Sequence, residues 1–167
     1  AIDYRGTADF KVCCGPFTRP HGAARQVSRM IPEPGMKEEF EAIYAENRWG
    51  CGSGEGSLPI NTGAYVETIQ AFINEHGTKK VVDVGCGDWQ FSRLIDWSGV
   101  EYHGFDIADS VITQNRAAFG ADNINFHYFS GAFAELPDAD LLLAKDVLQH
   151  WSNATVERFL PSVDRFR

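Results

Sequence analysis

Two carboxylates around a pair of glycines carry the most pointed chemistry in this chain. Asp83-Val84-Gly85-Cys86-Gly87-Asp88 sets an acid just ahead of a glycine turn, and Asp106 follows roughly 20 residues later. Glycine lets the backbone turn sharply and approach a ligand with no Cβ in the way. An acid at that distance is where dinucleotide-type folds accept ribose hydroxyls. The spacing then separates two cofactor classes. A hydride-transfer site wants a third glycine under a pyrophosphate, but here that position is Gln90, preceded by the bulky Trp89. A cofactor without a pyrophosphate fits the turn better; a nicotinamide binder stays open as a rival.

A second constellation is Lys145-Asp146 with Gln149-His150-Trp151 a helical turn later. Histidine titrates near neutral pH, so His150 is the candidate general base for a hydroxyl that must lose a proton. Asp146 orients that histidine, orients the substrate, or is itself the base. The same residues also have an architectural reading, with Asp146 capping a helix and His150 packing on the core.

A third stretch, Arg48-Trp49-Gly50-Cys51-Gly52-Ser53-Gly54-Glu55-Gly56-Ser57, spends four glycines in seven residues. Such backbone freedom costs entropy on folding. Its amides can wrap a ligand and bond a carboxylate or hydroxyl. A flexible linker is the alternative.

The elements that must position these residues alternate between strand and helix. Val81, Val82 and Val84 predict a short buried strand ending at the glycines. Phe91, Leu94 and Ile95 recur at helical spacing and predict a helix after them. Residues 101–107 predict a second strand that ends at Asp106, and 123–129 a third. Leu141-Leu142-Leu143-Ala144 is the continuous apolar run of a parallel strand buried on both faces. Helices are expected over 37–47, from a cap at Asn61-Thr62 to Gly77, after Asp109 or Ser110, and after Asn153, with Pro161 kinking or ending the last. Val156, Phe159, Leu160 and Val163 are its expected packing face. Open sheets of this kind bind ligands at the carboxyl ends of their strands, so the Lys145–His150 side chains should edge the pocket.

With Asp83, Gly85, Gly87, Asp106 and the phrases GCGDWQFSRLIDWSG and KDVLQHW in view, the chain resembles class I S-adenosylmethionine-dependent methyltransferases. The longer phrases are similar to a bacterial and viral subgroup often found near glycan genes. The resemblance covers residues 40–167 and implies a Rossmann-like parallel sheet with helices on both faces. It implies S-adenosylmethionine as cofactor, with Asp83 near the methionine amino group and Gly85, Cys86, Gly87 and Asp88 under the cofactor backbone. Asp106 and Ile107 would lie at the ribose, and Lys145 at the pocket edge. The loop with Trp49 and Gly50 would close over the cofactor, and Arg48 would pair with its carboxylate. The family commonly places an acid for the adenine amino group after the third strand; Ser130-Gly131 stands there instead. The acceptor implied is a small-molecule or glycan hydroxyl, reached without metal. The strands read here would supply half of such a sheet, its C-terminal strands lacking. The strand at Leu141 would then be an edge that a second copy or a partner chain covers. A non-catalytic, cofactor-binding half-domain is the alternative.

Composition fits one folded domain. The chain has 167 residues, 44% of them hydrophobic, and a formal charge of -8, which argues against nucleic acid as the main partner. No apolar run approaches the roughly 20 residues of a membrane span, and no signal peptide opens the chain. Cys13, Cys14, Cys51 and Cys86 suit neither a zinc site nor a disulfide framework; reduced thiols in a cytoplasmic protein are expected. Residues 1–36, with Pro16, Pro20, Pro32 and Pro34, read as an irregular arm holding one short strand at 9–13, ahead of a domain over 37–167.

Overall fold

The computed structural model describes residues 35–166. The expected arm, its strand at 9–13 and the Cys13-Cys14 pair lie outside those residues.

Four parallel strands form one sheet: β1 (Lys80–Val84), β2 (Glu101–Asp106), β3 (Ile124–Tyr128) and β4 (Leu141–Leu143). Their order is β3-β2-β1-β4, all pairs parallel. β1 has neighbours on both sides, and its β-branched Val81, Val82 and Val84 are fully buried. Successive side chains leave a strand on opposite faces, which sorts the core into two layers. On one face Val81, Tyr102, Ile124, Phe126 and Leu143 pack with Ile69 and Ile73 of α2 (Pro59–His76) and Ile112 of α3 (Asp109–Phe119). On the other, Val82, Val84 and Phe105 pack with Phe129, Phe133 and Phe159, the last from α4 (Asn153–Val163). The fold is the expected Rossmann-like parallel sheet with helices on both faces. A further helix, α1 (Met36–Ala45), is tied to α3 by Lys37 Nζ to Asp109 Oδ2 at 2.6 Å and by Ser110 N to Glu41 Oε1 at 3.2 Å.

Several local expectations are corrected. No α-helix follows the glycine turn: Ser92–Leu94 forms a single 3₁₀ turn, and Leu94 is 53% exposed while Phe91 and Ile95 are buried. The chain leaves the helical region at Ile95, whose ψ is 137°, before a second turn forms. α2 begins at Pro59 with Leu58 in the cap position, because proline is preset for the first helical turn. Asn61 and Thr62 sit inside it, bonding back to Glu55 O and Leu58 O. Ala108, not Asp109 or Ser110, caps α3. Ser152 caps α4, its Oγ accepting from Thr155 N, so the helix begins at Asn153. That helix runs through Pro161 to Val163; its buried residues are Thr155 and Phe159, while Leu160 and Val163 are exposed. Among the described residues β4 pairs with β1 alone, and Leu141 and Leu142 are only half-buried. The two-sided burial expected of it holds for Leu143 only.

Candidate functional site

A cavity of about 410 Å³ opens at the carboxyl ends of β1, β2 and β4. The sequence candidates Trp49, Asp83, Gly85, Cys86, Gly87, Asp88, Asp106, Ile107, Gly131, Lys145, Asp146 and His150 all line it. The glycine turn packs tightly against neighbouring side chains. Gly85 and Gly87 have φ of 74° and 54°, and a Cβ on them would come within 2.5 Å of Val147 and 2.3 Å of Ser53 Oγ.

The floor is acidic. Asp83 is buried at the end of β1, where its Oδ2 accepts the Tyr102 hydroxyl proton at 2.7 Å. Burial pushes its pKa up to about 7, against the opposing effects of that bond and of Lys145; the charge on Asp106 adds to the rise. Asp106 is equally buried, and burial raises its pKa against the pull of backbone amides. Its Oδ2 accepts Gly87 N and its Oδ1 accepts Ala108 N, both at 3.0 Å. Asn115, a residue the sequence did not single out, completes this corner by donating Nδ2 to Gly87 O at 2.7 Å. Cys86 turns its thiol into the core, where burial holds the pKa well above the ordinary thiol value. It is the Cys86 backbone that belongs to the turn.

The rim is aromatic. His150 lies on the 3₁₀ turn Leu148–His150 with its ring stacked on Trp49, centroids 5.8 Å apart, and edge-on to Phe40 at 5.4 Å. Asp146, at φ 55°, pairs with Lys145 rather than with the imidazole. That disposes of the idea that Asp146 orients His150 by direct contact. Lys145 Nζ also donates to Gly56 O at 3.1 Å and lies 5.3 Å from the Phe91 ring centre.

The glycine-rich loop lies against the glycine turn. Ser53 N donates to Asp88 Oδ2 at 3.2 Å, and Asp88 N donates to Ser53 Oγ at 3.0 Å. Tyr44 OH meets the same Oγ at 2.9 Å, and burial drives its phenol pKa far above the ordinary value. Asp88 therefore spends one carboxylate oxygen, Oδ2, on the loop.

Three sequence candidates fall outside the cavity. Arg48 is captured by α1 acids and neighbours, donating to Glu46 Oε2 at 2.7 Å and Glu39 Oε1 at 2.9 Å on the surface. Gly50 closes the turn from Asn47, with Gly50 N on Asn47 O at 2.8 Å. Ser130 organises its own loop, accepting Ala132 N and donating to Glu135 Oε2, both at 3.2 Å. The lining residues Phe40, Tyr44, Phe129 and Phe133 were not singled out as site residues, because long-range folding alone gathers them.

A family model described as "Methyltransferase domain" matches residues 81–166, just over half of the chain. The chain belongs to that methyltransferase-domain family. Its curated relatives include the ubiquinone biosynthesis O-methyltransferases of two Rickettsia bellii strains, each 25% identical over 131 residues. The match covers 74% of this chain and 53% of theirs, so the chain spans about half the length of these relatives. Among solved structures, magnesium protoporphyrin IX methyltransferase from Synechocystis PCC 6803 with bound SAM superposes with a TM-score of 0.54 at 19% identity. That match covers 76% of this chain and 69% of the other. The SAH-bound form gives 0.55 at 18%, covering 75% and 65%. This likeness is one of fold. None of the described helices of this methyltransferase domain is long and apolar enough to cross a membrane.

Proposed function

We propose that this methyltransferase domain binds S-adenosylmethionine in the cavity and methylates a hydroxyl of a small-molecule or glycan acceptor. The observation that carries the reading is the pair of buried carboxylates, Asp83 and Asp106, facing one cavity on either side of a glycine turn. An acidic, apolar-walled floor suits a ligand bearing an ammonium, a sulfonium and ribose hydroxyls, all of them cations or donors. Asp83 would hold the amine, the backbone of Gly85 to Gly87 would lie under the ligand, and Asp106 would accept ribose hydroxyls. When bound, the cofactor supplies a methyl already activated on sulfonium sulfur, so the chain's task is mostly positioning. Trp49 and Phe40 fix the His150 ring at the rim, where a ring nitrogen takes the acceptor's hydroxyl proton. Oxygen as the methylated atom is supported by the activity named for the Rickettsia relatives.

Calorimetric titration with S-adenosylmethionine, S-adenosylhomocysteine and a nicotinamide dinucleotide tests this. Micromolar binding of the first two alone supports the reading. Binding of the dinucleotide instead sinks it. A second reading, a cofactor-binding domain without turnover, is favoured by β4 having one ladder partner among the described residues. Tight binding without methylation of any hydroxyl acceptor would select it.

A further inference from the structure

Between Asp88 and Gln90 the chain adopts a conformation its residue types disfavour. Trp89 is large and buried, yet sits at φ 58°, in the left-handed region that bulky residues avoid. Such outliers persist only where the surroundings over-determine them. Here the indole is wedged against Phe119 at 5.1 Å, Phe126 at 5.3 Å and Tyr102 at 5.5 Å. Turning Trp89 inward brings its two neighbours together: Gln90 Nε2 donates to Asp88 Oδ2 at 2.7 Å. The pair then grips the glycine-rich loop. Asp88 accepts Ser53 N, and Gln90 Nε2 donates to Cys51 O at 2.7 Å. The fit leaves no slack, since a Cβ on Gly52 would lie 1.9 Å from Asp88 Oδ2. At its far end the loop is held by Lys145 on Gly56 O. It is thus fastened to the ends of both β1 and β4, with Ser53, Gly54 and Gly56 facing the cavity.

We propose that Asp88 and Gln90 are positioning residues that clamp residues 50–57 as a cover over the cavity, so that bound cofactor leaves only when this clamp opens. The inference rests on the S-adenosylmethionine reading above, and its test separates the two.

Gly52→Ala drives a methyl into the Asp88 carboxylate from outside the cavity lining. Gly50→Ala is the control: its φ of 77° imposes similar backbone strain, but its Cβ meets nothing within 4 Å. Hydrogen exchange at the Ser53 amide, measured without ligand, should quicken about tenfold in G52A and stay near wild type in G50A. Stopped-flow dissociation of S-adenosylmethionine should quicken about tenfold in G52A alone. Should G52A not fold, Gln90→Leu removes two bonds of the clamp and gives the same readouts. Unchanged Ser53 exchange, or unchanged dissociation, overturns the proposal. If the wild-type chain binds no S-adenosylmethionine, the cofactor reading fails and the cover's role in release fails with it, whatever Ser53 reports.

Discussion

The Tyr102 hydroxyl donates to Asp83 Oδ2 at 2.7 Å, a bond that runs diagonally from β2 to β1 beneath the cavity. It is a bond to the charged form, and it opposes the burial that lifts Asp83 to about 7. Two pH effects of opposite sign follow. Folding favours the neutral carboxyl, so between the ordinary carboxylate range and about 7 the folded state keeps a proton the unfolded chain has released. That contribution is full at low pH and is lost as pH rises through about 7. Cofactor binding needs the carboxylate, so S-adenosylmethionine affinity should climb about tenfold from pH 6 to pH 8. Tyr102→Phe should move the midpoint upward, and Asp83→Asn should flatten the profile. Calorimetry across that range checks it; a flat wild-type profile would remove Asp83 from the amine.

Asp106 both braces the turn and faces the cavity. Asp106→Ala should weaken S-adenosylmethionine binding more than about tenfold, since a charge-assisted hydrogen bond to each hydroxyl is lost. Asn115→Ala, away from the lining, should cost about 1–3 kcal/mol of stability by leaving Gly87 O with only the weak Cys86 thiol as donor. Affinity by titration and stability by urea unfolding separate the two residues. Unchanged affinity in D106A would end the ribose assignment.

His150→Gln should lower kcat by about 10²–10⁴ while cofactor affinity stays within about threefold. Trp49→Leu, which removes the stacked partner of that ring, should lower kcat less. Equal kcat in H150Q and wild type would leave Asp146 as the remaining candidate base.

Much of this was legible from residue types, for stated physical reasons. The valines of β1, the two acids and the glycines are local signals, and the cavity forms where they pointed. The helix forecast from Phe91, Leu94 and Ile95 failed because three apolar residues at helical spacing fix neither a continuing run of hydrogen bonds nor the burial of all three, and Leu94 is exposed. Arg48 reads as a ligand for an anion until folding sets Glu39 and Glu46 beside it. Phe40, Tyr44 and Asn115 belong to helices whose placement against the sheet is tertiary information, so nothing near them in sequence marks them.

A second acid sensitivity lies away from the cavity. His103 Nδ1 and His127 Nε2 are 3.0 Å apart, and His103 Nε2 meets Glu101 Oε1 at 2.8 Å. Burial, then the neighbouring His103 and Arg116, hold the His127 pKa below the usual histidine value. The unfolded chain therefore takes up that proton first as pH falls, so this contribution is full above about 6.5 and is lost on acidification. Asp83 contributes with the opposite sign in this window, so the change in melting temperature from pH 7 to pH 5 should be less favourable in the wild type than in His127→Gln. Parallel melting curves for the two proteins would rule the histidine pair out as the cause.

The strand order has a consequence for how the chain matures on the ribosome. β1 lies between β2 and β4, and the amides of Lys79 and Lys80 are held by Asp140 Oδ2, 61 and 60 residues downstream. At roughly 5–20 residues per second of synthesis, β4 emerges several seconds after β1. Until then one flank of β1 has no ladder partner, and Lys145 and His150, which wall the cavity, do not yet exist. Nascent chains arrested before Asp140 should present that flank to chaperones, and those released after α4 should not.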